Sequence, residues 1–152
     1  MKKHVLGLAA VALAVPAAAT AADPVGAVKA DAAKLQADVS AAHGALIADA
    51  QKLAADATAA KGKSKADARA AIKPDLQKLK ADASAFRATL KADRAQLKAD
   101  LAAAKGTKGA RKELRPTLQS LRQSVKQARG EIKAELQKAR QAVKELRASF
   151  AK

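Results

Sequence analysis

The chain has 152 residues, with 30 Lys and Arg against 14 Asp and Glu, a net charge of +16, and no Cys, Trp or Tyr. The missing cysteine excludes disulfide staples, and the absence of Asn excludes N-linked glycosylation. The charge predicts solubility and attraction to polyanions.

Residues 1–22 read as a secretory signal peptide. Lys2 and Lys3 form its positive start, Val5 to Val15 its uncharged apolar core, and Pro16 ends that core. Ala19-Thr20-Ala21 fits a small-x-small cleavage site, so processing is expected near Ala21/Ala22. The apolar run is too short for a membrane span, which needs about 20 residues. Loss of Lys2 and Lys3 lowers the net charge from +16 to +14. The expected address is extracytoplasmic, in the periplasm or secreted.

Residues 23–152 are expected to form one all-α domain, an up-down-up antiparallel three-helix bundle of coiled-coil type. Beyond residue 22 there are 23 Val, Ile, Leu or Phe residues, and all but Ile47 fall on three runs with one step pattern, 4-3-4-3-4-4-3-4-3, or one step beyond them at Val25 and Phe150. The runs extend from Val28 to Ala60, from Ile72 to Ala104 and from Leu114 to Leu146. Steps of three and four place side chains on one face of an α-helix. The first run is the poorest in large residues, so stability is expected to be weakest around the first helix. Segments Ile72–Ala104 and Leu114–Leu146 match in residue type at an offset of 42, so each repeat is one long helix. Short connections between long stripes make neighbours antiparallel.

The first helix is expected over 24–61, with Pro24 at its start and Gly62 as its C′ residue. Ser64 and Asp67 suggest a capping box for a second helix over 65–105. Gly106 is expected to end that helix, and Thr107 to cap a third over 108–151. Pro74 and Pro116 each sit two residues before a stripe leucine, on the solvent side. Each is expected to kink its helix; the alternative is that each begins the helix proper.

Flanking the stripes, acids gather in the g column (Asp31, Asp38, Asp49 and Asp56 in the first helix; Asp75, Asp82, Asp93 and Asp100 in the second). Bases gather in the e columns of the second and third helices, including Lys73, Arg87, Arg122, Arg129, Arg140 and Arg147. Avoidance of like charges predicts the hand that sets the acidic column of the first helix beside the basic column of the third. Seen from the N-terminus of the first helix, the three helices would then run anticlockwise. The basic columns are expected to pair across seams and cover them with their stems. Arg94, where the step pattern slips, is expected to reach for solvent.

Residues 25–61 are neutral overall, so the surplus charge lies in the loops and the later helices. The candidate polyanion contacts are Lys63, Lys65 and Arg69, then Lys108, Arg111 and Lys112, and finally Lys126, Lys133 and Lys144 on the third helix. No catalytic chemistry is visible. His43 is the only histidine beyond residue 22, and no metal-ligand spacing, phosphate loop or Ser-His-acid set appears. No enzyme activity, cofactor or small-molecule substrate is expected.

The leading expectation is an exported bundle that binds anionic envelope surfaces: lipid headgroups, wall polymers or lipopolysaccharide. A periplasmic stress chaperone is an alternative. In size and charge the chain resembles the exported Spy/CpxP type, although that family's Leu-Thr-x-x-Gln motif is absent; Leu114-Arg115-Pro116-Thr117-Leu118-Gln119 does not match it. Non-specific nucleic-acid binding, similar to Lys/Ala-rich histone-like tails, is another alternative. It would act through phosphates alone, because Phe86 and Phe150 both lie on the apolar stripe. A further alternative is a helix set that opens its bundle on membranes.

Overall fold

The computed structural model describes residues 23–150 as three helices: α1 (Pro24–Ala59), α2 (Lys65–Ala104) and α3 (Ala110–Ala148). The signal-peptide reading of residues 1–22 falls outside the described residues. At 36, 40 and 39 residues the helices are each about 54–60 Å long at 1.5 Å per residue.

Local chemistry sets most of the ends. Asp23 caps α1, its carboxylate accepting the Val25 amide at 3.0 Å, with Pro24 in the first turn. Gly62 takes φ of +87°, in the left-handed region expected of it. Ser64 Oγ accepts the Asp67 amide at 3.1 Å, the N-cap half of the expected capping box, and its hydroxyl donates to the Asp67 carboxylate at 2.7 Å. The start of α3 differs from expectation. Thr107 does not cap it; Gly109 is the N-cap at φ +85°, and the Gly109 carbonyl accepts the Lys112 and Glu113 amides. Of the two glycines in Gly106-Thr107-Lys108-Gly109, the second makes the left-handed turn, so the helix begins only at Ala110. Pro74 and Pro116 lie inside α2 and α3, both exposed. Helix on both sides of each removes the reading in which they start the helices.

α1 is the hub. Its backbone runs close to both partners, whereas α2 and α3 scarcely approach one another. Half of its stripe is alanine (Ala32, Ala42, Ala50, Ala57, Ala60), which lets backbones come near, while α2 and α3 carry Leu, Ile and Phe. Val28, Leu35, Leu46 and Leu53 of α1 are all 3% exposed or less. Each such large side chain contributes about 1.5–3 kcal/mol by burial. The core forms two clusters that share Phe86. That residue opens the 4-4 step of the stripe, a stutter that locally unwinds a heptad seam.

The hand is the reverse of the one expected. α1 meets α2 through both acidic g columns, and meets α3 through Lys29–Glu113, His43–Glu131 and Lys61–Glu145. These last pairs advance together along both chains, so α1 and α3 are parallel. The basic e columns of α2 and α3 therefore face each other, and the helices run clockwise seen from the N-terminus of α1. The expectation failed because it weighed only the e and g columns. Lysines one turn before the acids neutralise the acidic seam.

Candidate functional site

Four segments share one pattern: Lys34-Leu-Gln-Ala-Asp38, Lys52-Leu-Ala-Ala-Asp56, Lys78-Leu-Lys-Ala-Asp82 and Gln96-Leu-Lys-Ala-Asp100. Lysine and aspartate four apart lie together on a helix. In the structure each of the three lysines also crosses the α1–α2 seam. Lys34 Nζ bonds Asp38 at 2.7 Å and Asp93 at 2.6 Å. Lys52 bonds Asp56 at 2.6 Å and Asp75 at 2.7 Å. Lys78 bonds Asp49 at 2.6 Å and Asp82 at 2.8 Å. One aspartate of each rung is buried (Asp93, Asp75, Asp49), and its second oxygen has no partner. Among the described residues the lysine is the only cation within bonding reach of each buried carboxylate.

The charges respond accordingly. The Lys34, Lys52 and Lys78 hydrogen bonds hold Asp38, Asp56 and Asp82 below their ordinary 3.8. The lysines are pushed above 10.5: Lys34 and Lys52 mainly by Asp38 and Asp56 on their own helix, Lys78 mainly by Asp49 across the seam.

The fourth rung has Gln96 where the others have lysine, and Gln96 bonds only Asp100, at 3.3 Å. Burial first, and then the facing Asp100 carboxyl, push Asp31 above its ordinary 3.8. A carboxyl raised in the folded state adds stability below its unfolded value, and that stability is lost as pH rises through the folded value. Gln96→Lys is therefore expected to raise Tm at neutral pH by a few degrees and to bring Asp31 back below 3.8. Melts at neutral pH and an NMR titration of the Asp31 carboxyl check both outcomes.

Most of the acids are thus spent on the sides of α1. Eight of the 14 face one another across the α1–α2 seam; Glu113, Glu131 and Glu145 pair with α1; Asp23 caps α1; Asp67 accepts the Ser64 hydroxyl; Glu135 bonds Lys138. Gln127 first and His43 second hold Glu131 below its ordinary value, and Lys61 first and Gln141 second do so for Glu145.

No acid lines the α2–α3 seam among the described residues. Three clefts lie along it in a row. One, of about 720 Å³, is walled by Lys65, Arg69, Lys73 and Arg147 over Ile72, Leu76, Leu146 and Phe150. The middle one, of about 330 Å³, has Arg87, Arg129, Lys133 and Arg140 over Phe86, Leu90, Ile132 and Leu136. The far one, of about 400 Å³, has Arg94, Arg122, Lys126 and Arg129 over Leu97, Leu101, Leu118 and Leu121. All nine arginines of the chain lie on α2 and α3, and none takes part in an ion pair among the described residues.

Of the residues singled out from sequence, Lys65, Arg69, Lys126 and Lys133 are brought to this seam. Lys63 sits in the α1–α2 turn beside Lys65. Lys108, Arg111 and Lys112 lie at the opposite end, about 60 Å away along α2, and Lys144 is exposed on α3. Sequence reasoning missed the e-column arginines, which it assigned to pairing. The signal that finds them is the KLxAD repeat, because it shows that the acids are already taken. Arg94 is exposed, as expected.

Among the described residues no group of three His, Cys, Asp or Glu is placed to hold a metal ion, and no helix is long and apolar enough to cross a membrane. No protein-family model, curated protein or solved structure matches the chain.

Proposed function

We propose that the protein is an exported, non-enzymatic helical bundle that binds anionic surfaces of the cell envelope through the α2–α3 seam. One observation carries this reading. Two rows of unpaired Arg and Lys face each other over an apolar floor, while every acid is engaged elsewhere. Opposed like charges are unfavourable, and places where a sequence departs from such local rules tend to be functional. Arginine suits phosphate and carboxylate because its planar fork bonds them with two parallel hydrogen bonds. The leader-like N-terminus supports an address where such surfaces are found.

Cosedimentation of residues 23–152 with vesicles tests the reading. Binding to vesicles rich in anionic phospholipid is expected, with little binding to neutral phosphatidylcholine. It should fall steeply as salt screens the charges beyond about 10 Å. Equal binding to both vesicles, or indifference to salt, contradicts it. The apolar clefts give the chaperone reading a foothold, and suppression of client aggregation at high salt, where headgroup binding has gone, would favour it instead.

A further inference from the structure

We infer that the cleft at the α1–α2 turn end of the seam takes up a single anionic amphiphile: an acyl chain bearing a phosphate headgroup. The inference rests on the proposed binding of anionic surfaces and adds a discrete lipid site to it.

Three features single out this cleft. It is the largest of the three, about 720 Å³, within the range of sites that enclose one small ligand. Its floor contains Leu76, 39% exposed and the one large hydrophobic residue left open to solvent among the described residues. Leu76 lies on the apolar stripe yet stays exposed, in a molecule whose α2 and α3 scarcely approach one another. Its rim carries Lys65, Arg69, Lys73 and Arg147, with no acid among the lining residues. A simple polyanion needs no such floor, and a wholly apolar ligand gains nothing from four cations. A ligand that is apolar along its body and anionic at its head satisfies both. A docked acidic helix would need an unbroken trough. The one floor residue left exposed, Leu76, lies in this cleft alone, which favours a small molecule held there.

Calorimetry is the suitable readout, since the chain has no Trp or Tyr to report binding. The probes are lauroyl lysophosphatidic acid below its micellar concentration, glycerol phosphate, and lauroyl lysophosphatidylcholine. The lysophosphatidic acid is expected to bind one per chain, about tenfold or more tighter than either of the others. Leu76→Gln, and separately the double variant Arg69→Gln with Arg147→Gln, should each weaken it by about tenfold. These side chains are at the surface of the cleft, and unchanged helicity confirms the fold. Lys108→Gln with Lys112→Gln removes the same charge at the far end. It should leave lysolipid binding intact while lowering vesicle binding.

Equal binding of glycerol phosphate and lysolipid, or equal loss in the far-end variant, overturns the lipid site. If vesicles are still bound, the wider proposal survives. Loss of binding to anionic vesicles as well removes both. Tighter binding of an acidic amphipathic peptide, displacing the lysolipid, replaces the lipid site with a helix-docking one.

Discussion

Replacing Lys34, Lys52 and Lys78 together by methionine is expected to invert the pH dependence of stability. In the native chain Asp38, Asp56 and Asp82 are held below 3.8 by these lysines. A carboxyl lowered by folding contributes stability above its unfolded value, and that stability is lost as pH falls through the folded value. The lysines are raised above 10.5, so their contribution is present below 10.5 and lost as pH rises through their folded values. The rungs therefore hold from about pH 4 to about pH 10. Without the lysines, three pairs of carboxylates confront each other, and Asp93, Asp75 and Asp49 are buried with no cation in reach. Such pairs hold one proton tightly. The variant should then be most stable below pH 4 and weaken as pH rises, as the lysine-free Asp31 rung already does locally. At neutral pH its Tm should fall by on the order of 10 °C. Melts followed by circular dichroism near pH 3 and pH 7 decide the matter. An unchanged pH profile would show that the lysines do not hold the seam.

The same rungs explain how far the sequence could be read. Stripes of Val, Leu and Ile at steps of three and four depend only on helix geometry, so three helices and their antiparallel order followed from residue spacing. The turns at Gly62 and Ser64 followed from local chemistry, because one residue type satisfies each. The hand did not follow. It depends on contacts between helices, and a lysine a full turn from the seam reaches across it on a four-carbon stem. The expectation that basic columns pair across seams failed for the same reason, since their acids were already engaged with Lys34, Lys52, Lys78 and α1. Nor was the gap between α2 and α3 legible from each stripe alone. The alanines of α1 admit close backbones on both sides, while the bulky stripes and opposed basic columns of α2 and α3 disfavour such an approach between them. That gap turned scattered cations such as Lys65, Arg69, Lys126 and Lys133 into the walls of one seam.

Reversing charge on one wall should trade binding for stability. Arg129 lines two of the clefts and Arg140 the middle one, opposite Arg87 of α2. Glutamates at 129 and 140 would give the α2 row partners, draw α2 toward α3 and cover the apolar floor. Each exposed pair contributes about 0–1 kcal/mol, so Arg129→Glu with Arg140→Glu is expected to raise Tm by a few degrees. The gain over the parent should shrink as salt rises. Anionic vesicle binding should fall much further than in Lys108→Glu with Lys112→Glu, which changes the net charge equally but leaves the seam open. A seam variant that is no more stable and binds like the loop variant would mean that the opposed arginines are neither strained nor used. The opposite result ties the two properties to one cause. It would mean that a seam kept cationic and open holds the bundle below the stability that acidic partners, like those of the α1–α2 seam, would give it.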